Sequence, residues 1–300
     1  AKRIELLAQV AQRFVDLLVS QSRETLAVET QGLAKEVAEA VTKRVQAGKV
    51  SPVEETKARI ALASAGVELE QAKREQAAAR QALGALWGEP NPRFQKGVGD
   101  LEKMASLPNY KTLVERVQNN PELARWATEI AHRQAGVEAE RAKAVSDVTL
   151  SAGVSRFSQY DDNAYMVSVS VPLPVFDRNR GGILEANQRL DKTNDERRAA
   201  EVRLVAELAQ TYQRLAAVSN EIQTLRATLL PGALSAFDAA TKGYQLGKFG
   251  FLDVLDAQRT LFETRSQHLR ALADYHRGVS ELERLIGGPL ENQTPSPDRQ

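Results

Sequence analysis

Apolar positions recur along most of this chain at helical intervals. Ile4, Leu7, Ala11, Phe14 and Leu18 are spaced 3, 4, 3 and 4 apart, and the stripe resumes at Leu33, Val37 and Val41. Such heptad spacing predicts long helices that pack along narrow seams. Gly48 lies just past this run, where a helix end often needs positive φ. Ser51-Pro52 then offers a cap followed by proline at the first helical position of a return helix.

The same layout occurs twice. Gln46-Ala47-Gly48-Lys49 matches Gln245-Leu246-Gly247-Lys248, and Leu86-Trp87-Gly88 matches Leu285-Ile286-Gly287, both 199 positions apart. Leu62 and Leu261, and Leu83 and Leu282, keep that offset, whereas Ala11 to Phe14 match Ala209 to Tyr212 at 198. An internal duplication is thus legible. Each copy predicts two antiparallel helices joined by a tight turn at Gly-Lys. The second return helix, from about 252 to 286, would be ~50 Å long at about 1.5 Å per residue. Pro231-Gly232 predicts a kink in the outgoing helix of copy two.

Ahead of the second helical pair the period changes to two. Residues 148–158 alternate apolar and small polar positions, and so do 164–174, where Tyr165, Val167, Val169 and Val171 oppose Ser168 and Ser170. Residues 159–163 have turn composition, so a β-hairpin is expected, ended by Pro172 and Pro174. An isolated hairpin is marginal in water. Strands of about 9–11 residues with one apolar face suit a transmembrane barrel. Lipid-exposed strands must close into a ring, which one hairpin per chain cannot do, so oligomerisation is expected.

The pattern divides the chain as follows: a first-repeat helical hairpin over 1–88, a linker or equatorial region over 89–118, and a leading helix over 119–147. The transmembrane β-hairpin occupies 148–174, the second-repeat helical hairpin 178–288, and a disordered tail 289–300. Projecting the repeat backwards predicts that roughly eighty residues of the first copy are absent and that the sequence is a fragment.

Composition narrows the chemistry. Lysine and arginine number 40 against 39 acidic residues, a net charge of +1 with no basic field for nucleic acid. There is no cysteine and only three histidines, His132, His268 and His276. His268 and His276 lie eight apart, not at the spacing a helical metal site wants. No nucleophile–base pair, phosphate loop or cofactor motif is present, and no catalytic, cofactor or metal residue is expected. Asp253 and Asp256 share one helix face. Repeated around a symmetry axis they would form a cation-attracting ring, while an acidic first turn complementing the helix dipole is the plainer reading.

Five segments carry a family resemblance: Arg44-Val-Gln-Ala-Gly-Lys-Val-Ser-Pro52, Asn120-Pro-Glu-Leu123, Val171-Pro-Leu-Pro-Val-Phe-Asp-Arg-Asn179, Tyr244-Gln-Leu-Gly247 and Phe251-Leu-Asp-Val-Leu-Asp-Ala-Gln258. Through them the chain resembles the TolC-like outer-membrane factors, in particular the channels of cobalt–zinc–cadmium and nickel efflux systems. The resemblance covers nearly all of residues 1–290.

It implies a mainly α fold of long antiparallel coiled-coil hairpins, with a transmembrane β-hairpin contributing to a trimeric barrel of twelve strands. It further implies a homotrimer in the bacterial outer membrane that extends into the periplasm and docks on an adaptor protein and a proton-driven (RND-type) inner-membrane pump. Gly48, Lys49, Val50 and Ser51, with Gly247, Lys248, Phe249 and Gly250, would be the docking tips. Asp253 and Asp256 match positions that ring the tunnel constriction, and Tyr244 one that helps hold the end shut. Some relatives carry arginine where Phe249 stands, and copy one places Glu54 opposite Asp253. A periplasmic adaptor and a soluble coiled-coil scaffold are the alternatives; the first has one helical hairpin rather than two, and the second has no use for the strands.

Overall fold

The computed structural model describes residues 2–145, 147–157, 159, 161–172 and 178–290. Pro174, most of the Pro-Leu-Pro-Val-Phe-Asp stretch and the last ten residues of the tail lie outside the described residues. Among those described are seven α-helices: α1 Lys2–Gln46, α2 Pro52–Gly84, α3 Tyr110–Val117, α4 Pro121–Ala142, α5 Arg180–Thr224, α6 Leu230–Gln245 and α7 Phe251–Ile286. Two antiparallel strands, β1 Thr149–Phe157 and β2 Asp162–Ser170, lie between α4 and α5. The chain forms two compact units, residues 1–117 with 206–300 and residues 118–205, and the division falls inside α5.

In the first unit, α1 and α2 pack through small residues. Ala27, Ala34 and Val41 recur at intervals of seven on α1, as do Ala58, Ala65 and Ala72 on α2, and all six are buried. Alanine at such positions lets helix axes approach closely, while the bulkier residues stand on flanking positions. The α6–α7 pair joins the same core: Ala233, Phe237, Ala240 and Tyr244 pack with Phe251, Val254 and Leu261, and with Ala38, Val41 and Ala58 of the first pair.

The repeat is written into the backbone hydrogen bonds. Gly48 N donates to Val45 O at 2.9 Å and Lys49 N to Arg44 O at 2.9 Å; Gly247 N donates to Tyr244 O at 3.0 Å and Lys248 N to Gly243 O at 2.8 Å. Gly48 has φ 67° and Gly247 φ 74°. Both ends are the same glycine-terminated motif, in which two amides fold back onto the last-turn carbonyls. The far ends repeat it at Gly88 and Gly287, with φ 82° and 77°.

The one-residue slip has a physical location. Buried Leu17 and Ala27 correspond to Leu215 and Leu225 at offset 198, but Ala34, Ala38 and Val41 correspond to Ala233, Phe237 and Ala240 at 199. Between Leu225 and Ala233 the buried stripe advances eight positions instead of seven. A π-helical turn spans Leu225–Leu229 in that interval. A π-turn absorbs one extra residue within a helix, so the outgoing helix of copy two carries its irregularity just before Pro231. Proline, which brings no backbone donor, follows at the start of α6.

Residues 85–109 run back across these helices as a strap. The Gln21 side chain donates to Gly97 O at 3.1 Å and accepts from Gly97 N at 2.7 Å. Arg226, on the π-turn, donates to the carbonyl and carboxylate of Glu102. Tyr275 Oη donates to Ala105 O at 2.5 Å, and His276 Nε2 lies 2.8 Å from Leu101 O. His268 Nδ1 stands 3.8 Å from Glu102, and burial, followed by the nearby Arg226, holds the His268 pKa below its usual value. Two of the three histidines thus face this strap.

In the second unit, Asn120 caps α4, its side-chain oxygen accepting from Glu122 N at 2.7 Å ahead of Pro121. The strands pair from Thr149↔Ser170 to Phe157↔Asp162. Strand β2 both starts and ends earlier than the period-two pattern predicts. Val171 and Pro172 continue beyond the ladder, proline having no amide to donate. Paired residues point to the same side, so Leu150/Val169, Ala152/Val167 and Val154/Tyr165 make one face. Ser151/Ser168, Gly153/Met166 and Ser155/Ala164 make the other. The apolar face is bare: Leu150, Tyr165 and Val167 are 71%, 79% and 75% exposed. The following junction is held by Asn179, at φ 49°, whose Nδ2 donates to Glu140 O at 2.9 Å and to its carboxylate at 2.7 Å.

Candidate functional site at the helical tips

The two Gly-Lys turns lie at the end of the first unit where all four helices α1, α2, α6 and α7 terminate or begin. Gly48, Lys49 and Ser51 are exposed and Val50 is half-buried; Gly247, Lys248, Phe249 and Gly250 are all exposed. Ser51 starts α2, its hydroxyl accepting from Val53 N at 3.3 Å. Gly250 has no side chain to do this for α7. There Asp253 reaches back, and its Oδ2 accepts from Gly250 N at 2.8 Å.

Tyr244 is the junction of the two hairpins. It is 6% exposed, and its ring lies 5.9 Å from that of Phe251. Its hydroxyl donates to Glu54 Oε2 at 3.1 Å, from α6 to α2. Arg44 of α1 donates from Nη1 to the Tyr244 carbonyl, and its guanidinium sits 4.2 Å from the ring centroid. A cation over an aromatic face is attracted by the ring quadrupole. Burial, then the bond to Glu54 and its charge, raise the Tyr244 pKa; Arg44 opposes them. The phenol is therefore neutral and donating at physiological pH.

Asp253 and Asp256 are both exposed, one turn apart on α7. Asp253 carries out the capping role its position in the first turn allows, and Asp256 stands before Arg259, which is ion-paired with Glu263 at 2.7 Å. The structure thus brings Tyr244 and Glu54 together but leaves Asp253 bonded to its own helix. Sequence reasoning missed Arg44 as Tyr244's partner. The signal was available in the repeat: Arg44 and Gly243 occupy equivalent positions, and a long cation matched to glycine marks a place where the copies differ.

Phe249 occupies that gap. A Cβ on Gly243 would lie 2.1 Å from Phe249 Cδ2, so only glycine admits the ring there. Among the described residues no group of three or more histidines and carboxylates is placed to hold a metal ion. No described helix is long and apolar enough to cross a membrane.

Comparison with known proteins agrees with this architecture. The family model described as outer membrane efflux protein matches residues 1–89 and 113–288, leaving out most of the strap. The cobalt-zinc-cadmium resistance protein CzcC of Cupriavidus metallidurans is 40% identical over 95% of this chain and 68% of its own length. The pyoverdine export outer membrane protein OpmQ of Pseudomonas aeruginosa is 24% identical over 95% of this chain and 62% of its own. Among solved structures, the channel CusC superposes with a TM-score of 0.82 at 20% identity, covering 95% of this chain and 68% of CusC. The chain belongs to the outer membrane efflux protein family, whose members are outer-membrane channels that extend into the periplasm.

Proposed function

We propose that this chain is the outer-membrane subunit of a tripartite efflux system that expels divalent heavy-metal cations: cobalt, zinc, cadmium and nickel. Three copies surround one conduit. The apolar face of the β1–β2 hairpin meets outer-membrane lipid, and the small polar face lines the lumen. The helices continue the conduit into the periplasm. The Gly48–Ser51 and Gly247–Gly250 turns dock on a periplasmic adaptor, which links the channel to a proton-driven inner-membrane pump. The protein carries out no chemical step; it is a passive conduit whose narrow end opens and closes.

The observation that carries the channel reading is the conjunction, in one chain, of two equivalent helical tips with a hairpin whose apolar face has no cover. Cargo is supported by the identity to the cobalt-zinc-cadmium resistance protein. In this reading Asp253 and Asp256, repeated around the axis, form the acidic constriction, and Tyr244 keeps the end shut. A field of carboxylates concentrates cations in a narrow passage.

The test is metal tolerance. Deleting the gene in its host should lower the tolerated concentration of at least one of the four metals severalfold, and the intact gene should restore it. Unchanged tolerance to all four on deletion, where the parent strain carries the protein in its outer membrane, would reject metal export.

A further inference from the structure

We infer that residues 97–105 of the strap form an acid-released clasp, in which His268 is the proton sensor and the Arg226–Glu102 pair is what its protonation unfastens. The inference concerns a single chain and depends neither on the cargo nor on the trimer. The clasp lies in the stretch between residues 89 and 113 that the family model leaves out.

The strap is held by a small number of contacts. Gly97 and Gly99 lie close against α1: a Cβ on Gly99 would stand 2.7 Å from Leu18 Cδ1, and one on Gly97 3.1 Å from Leu17 Cδ2. The strap thus helps to bury both leucines. Further along, the polar anchors are Arg226 on Glu102, Tyr275 on the Ala105 carbonyl and His276 on the Leu101 carbonyl. Residues 97–105 belong to no helix or strand. No ladder of backbone bonds would hold them once those anchors were lost.

His268 sits among these anchors. Its side chain is 12% exposed and its Nδ1 lies 3.8 Å from Glu102 Oε1, while Nε2 is buried with no partner among the described residues. The charged groups facing the ring are Glu102 from the strap and Arg226 from the π-turn. Arg265, on the same helix, is paired with Glu29 of α1 at 2.9 Å. A neutral imidazole carries one N–H, whereas the imidazolium carries two. The added donor at Nε2 would have no acceptor, which a buried site penalises. The added charge would stand beside Arg226 and compete with it for the one carboxylate of Glu102.

Burial first, and Arg226 second, hold the His268 pKa below the ordinary 6.5. The stability contributed by the neutral ring is therefore present above that ordinary value and lost as pH falls from there through the lowered folded one. Acid favours the arrangement that wets the ring: Glu102 drawn away from Arg226, the strap lifted and Leu17 and Leu18 bared. The π-turn, α1 and α7 are tied together by the strap at neutral pH and untied below it.

The full-length channel in detergent is digested at pH 7.5 and 5.5 with a glutamyl endopeptidase active at both. Cleavage after Glu102 is followed by mass spectrometry, relative to a free peptide of residues 97–107 that corrects for the protease's own pH response. Cleavage of a transiently opened segment tracks its open population. One proton changes that population by at most about tenfold per pH unit, so the wild type should be cut about three- to tenfold faster at pH 5.5. His268→Leu and His268→Gln, neither of which takes up a proton, should be cut slowly at both pH values, and His276→Gln should respond as the wild type does. An unchanged relative rate in the wild type overturns the inference, whether or not the variants fold. So does a response that survives in both His268 variants, or one that vanishes in His276→Gln alone. Fast cleavage of both His268 variants at pH 7.5, with helical circular dichroism retained, would make the ring a structural support and likewise overturn it.

Discussion

Phe249 rests in the space that a side chain on Gly243 would need, six residues back along its own chain. Gly243→Ala should therefore expel the ring, at a cost of about 1–3 kcal/mol for overpacking. Adding Phe249→Ala to that variant should recover most of the loss, because the two changes act on one contact. The thermal midpoint of the detergent-solubilised protein, measured for both single variants and the double, is the check. Additive losses would mean that the ring and the glycine are independent.

Asp253 and Asp256 are separable by what else they do. Replacing Asp253 with alanine removes a helix cap as well as a charge and should lower stability by about 0.5–2 kcal/mol. Asp256→Ala should leave the thermal midpoint nearly unchanged. Both should reduce cation over anion permeability in bilayers if they ring the constriction. Unchanged selectivity in the Asp256 variant would remove the acidic ring from the mechanism.

The hairpin faces make opposite predictions for adjacent residues. Arginine at Val167 would enter lipid, at a cost of about 2–4 kcal/mol near the bilayer midplane. Arginine at Ser168 would enter the lumen at little cost. The amount of heat-modifiable oligomer in outer-membrane fractions should fall sharply for Val167→Arg and hold for Ser168→Arg. The reverse order would invert the assignment of faces.

Tyr244 gives a pH prediction with a definite sign. Its folded pKa is raised above the ordinary value of 10.0. The stability it contributes is therefore complete below that ordinary value and lost as pH rises through the folded one. The tip should be insensitive to phenol ionisation through neutral and mildly alkaline pH. In an ultraviolet titration at 295 nm, the wild type minus Tyr244→Phe difference should appear after the exposed tyrosines have ionised. A difference that titrates with them would mean that the ring is not held as described.

Much of this architecture was legible before any coordinates. Heptad stripes, the 199-residue period and glycines just past each stripe are local or self-comparing signals. Helices α1, α2 and α7 and their turns follow from them. The strand pair was legible as alternation, although β2 ends at Ser170 because a ladder depends on pairing with β1 and not on periodicity alone. Pro231-Gly232 predicts a kink, whereas the π-turn before it shows in the sequence only as a change of offset. Arg44 against Tyr244 was legible only as a mismatch between the copies, a cation in one where the other has Gly243. A contact across 200 positions depends on how two hairpins settle side by side, and no local period encodes that.

The π-turn at Leu225–Leu229 also records an order of events. Offsets of 198 before it and 199 after it, with the buried stripe in step on both sides, require one residue gained in the second half or lost from the first after the two halves already existed. A single codon accounts for the whole discrepancy between the halves along their outgoing helices. The helix holds the additional residue in one wide turn, which keeps its apolar seam in phase on both sides.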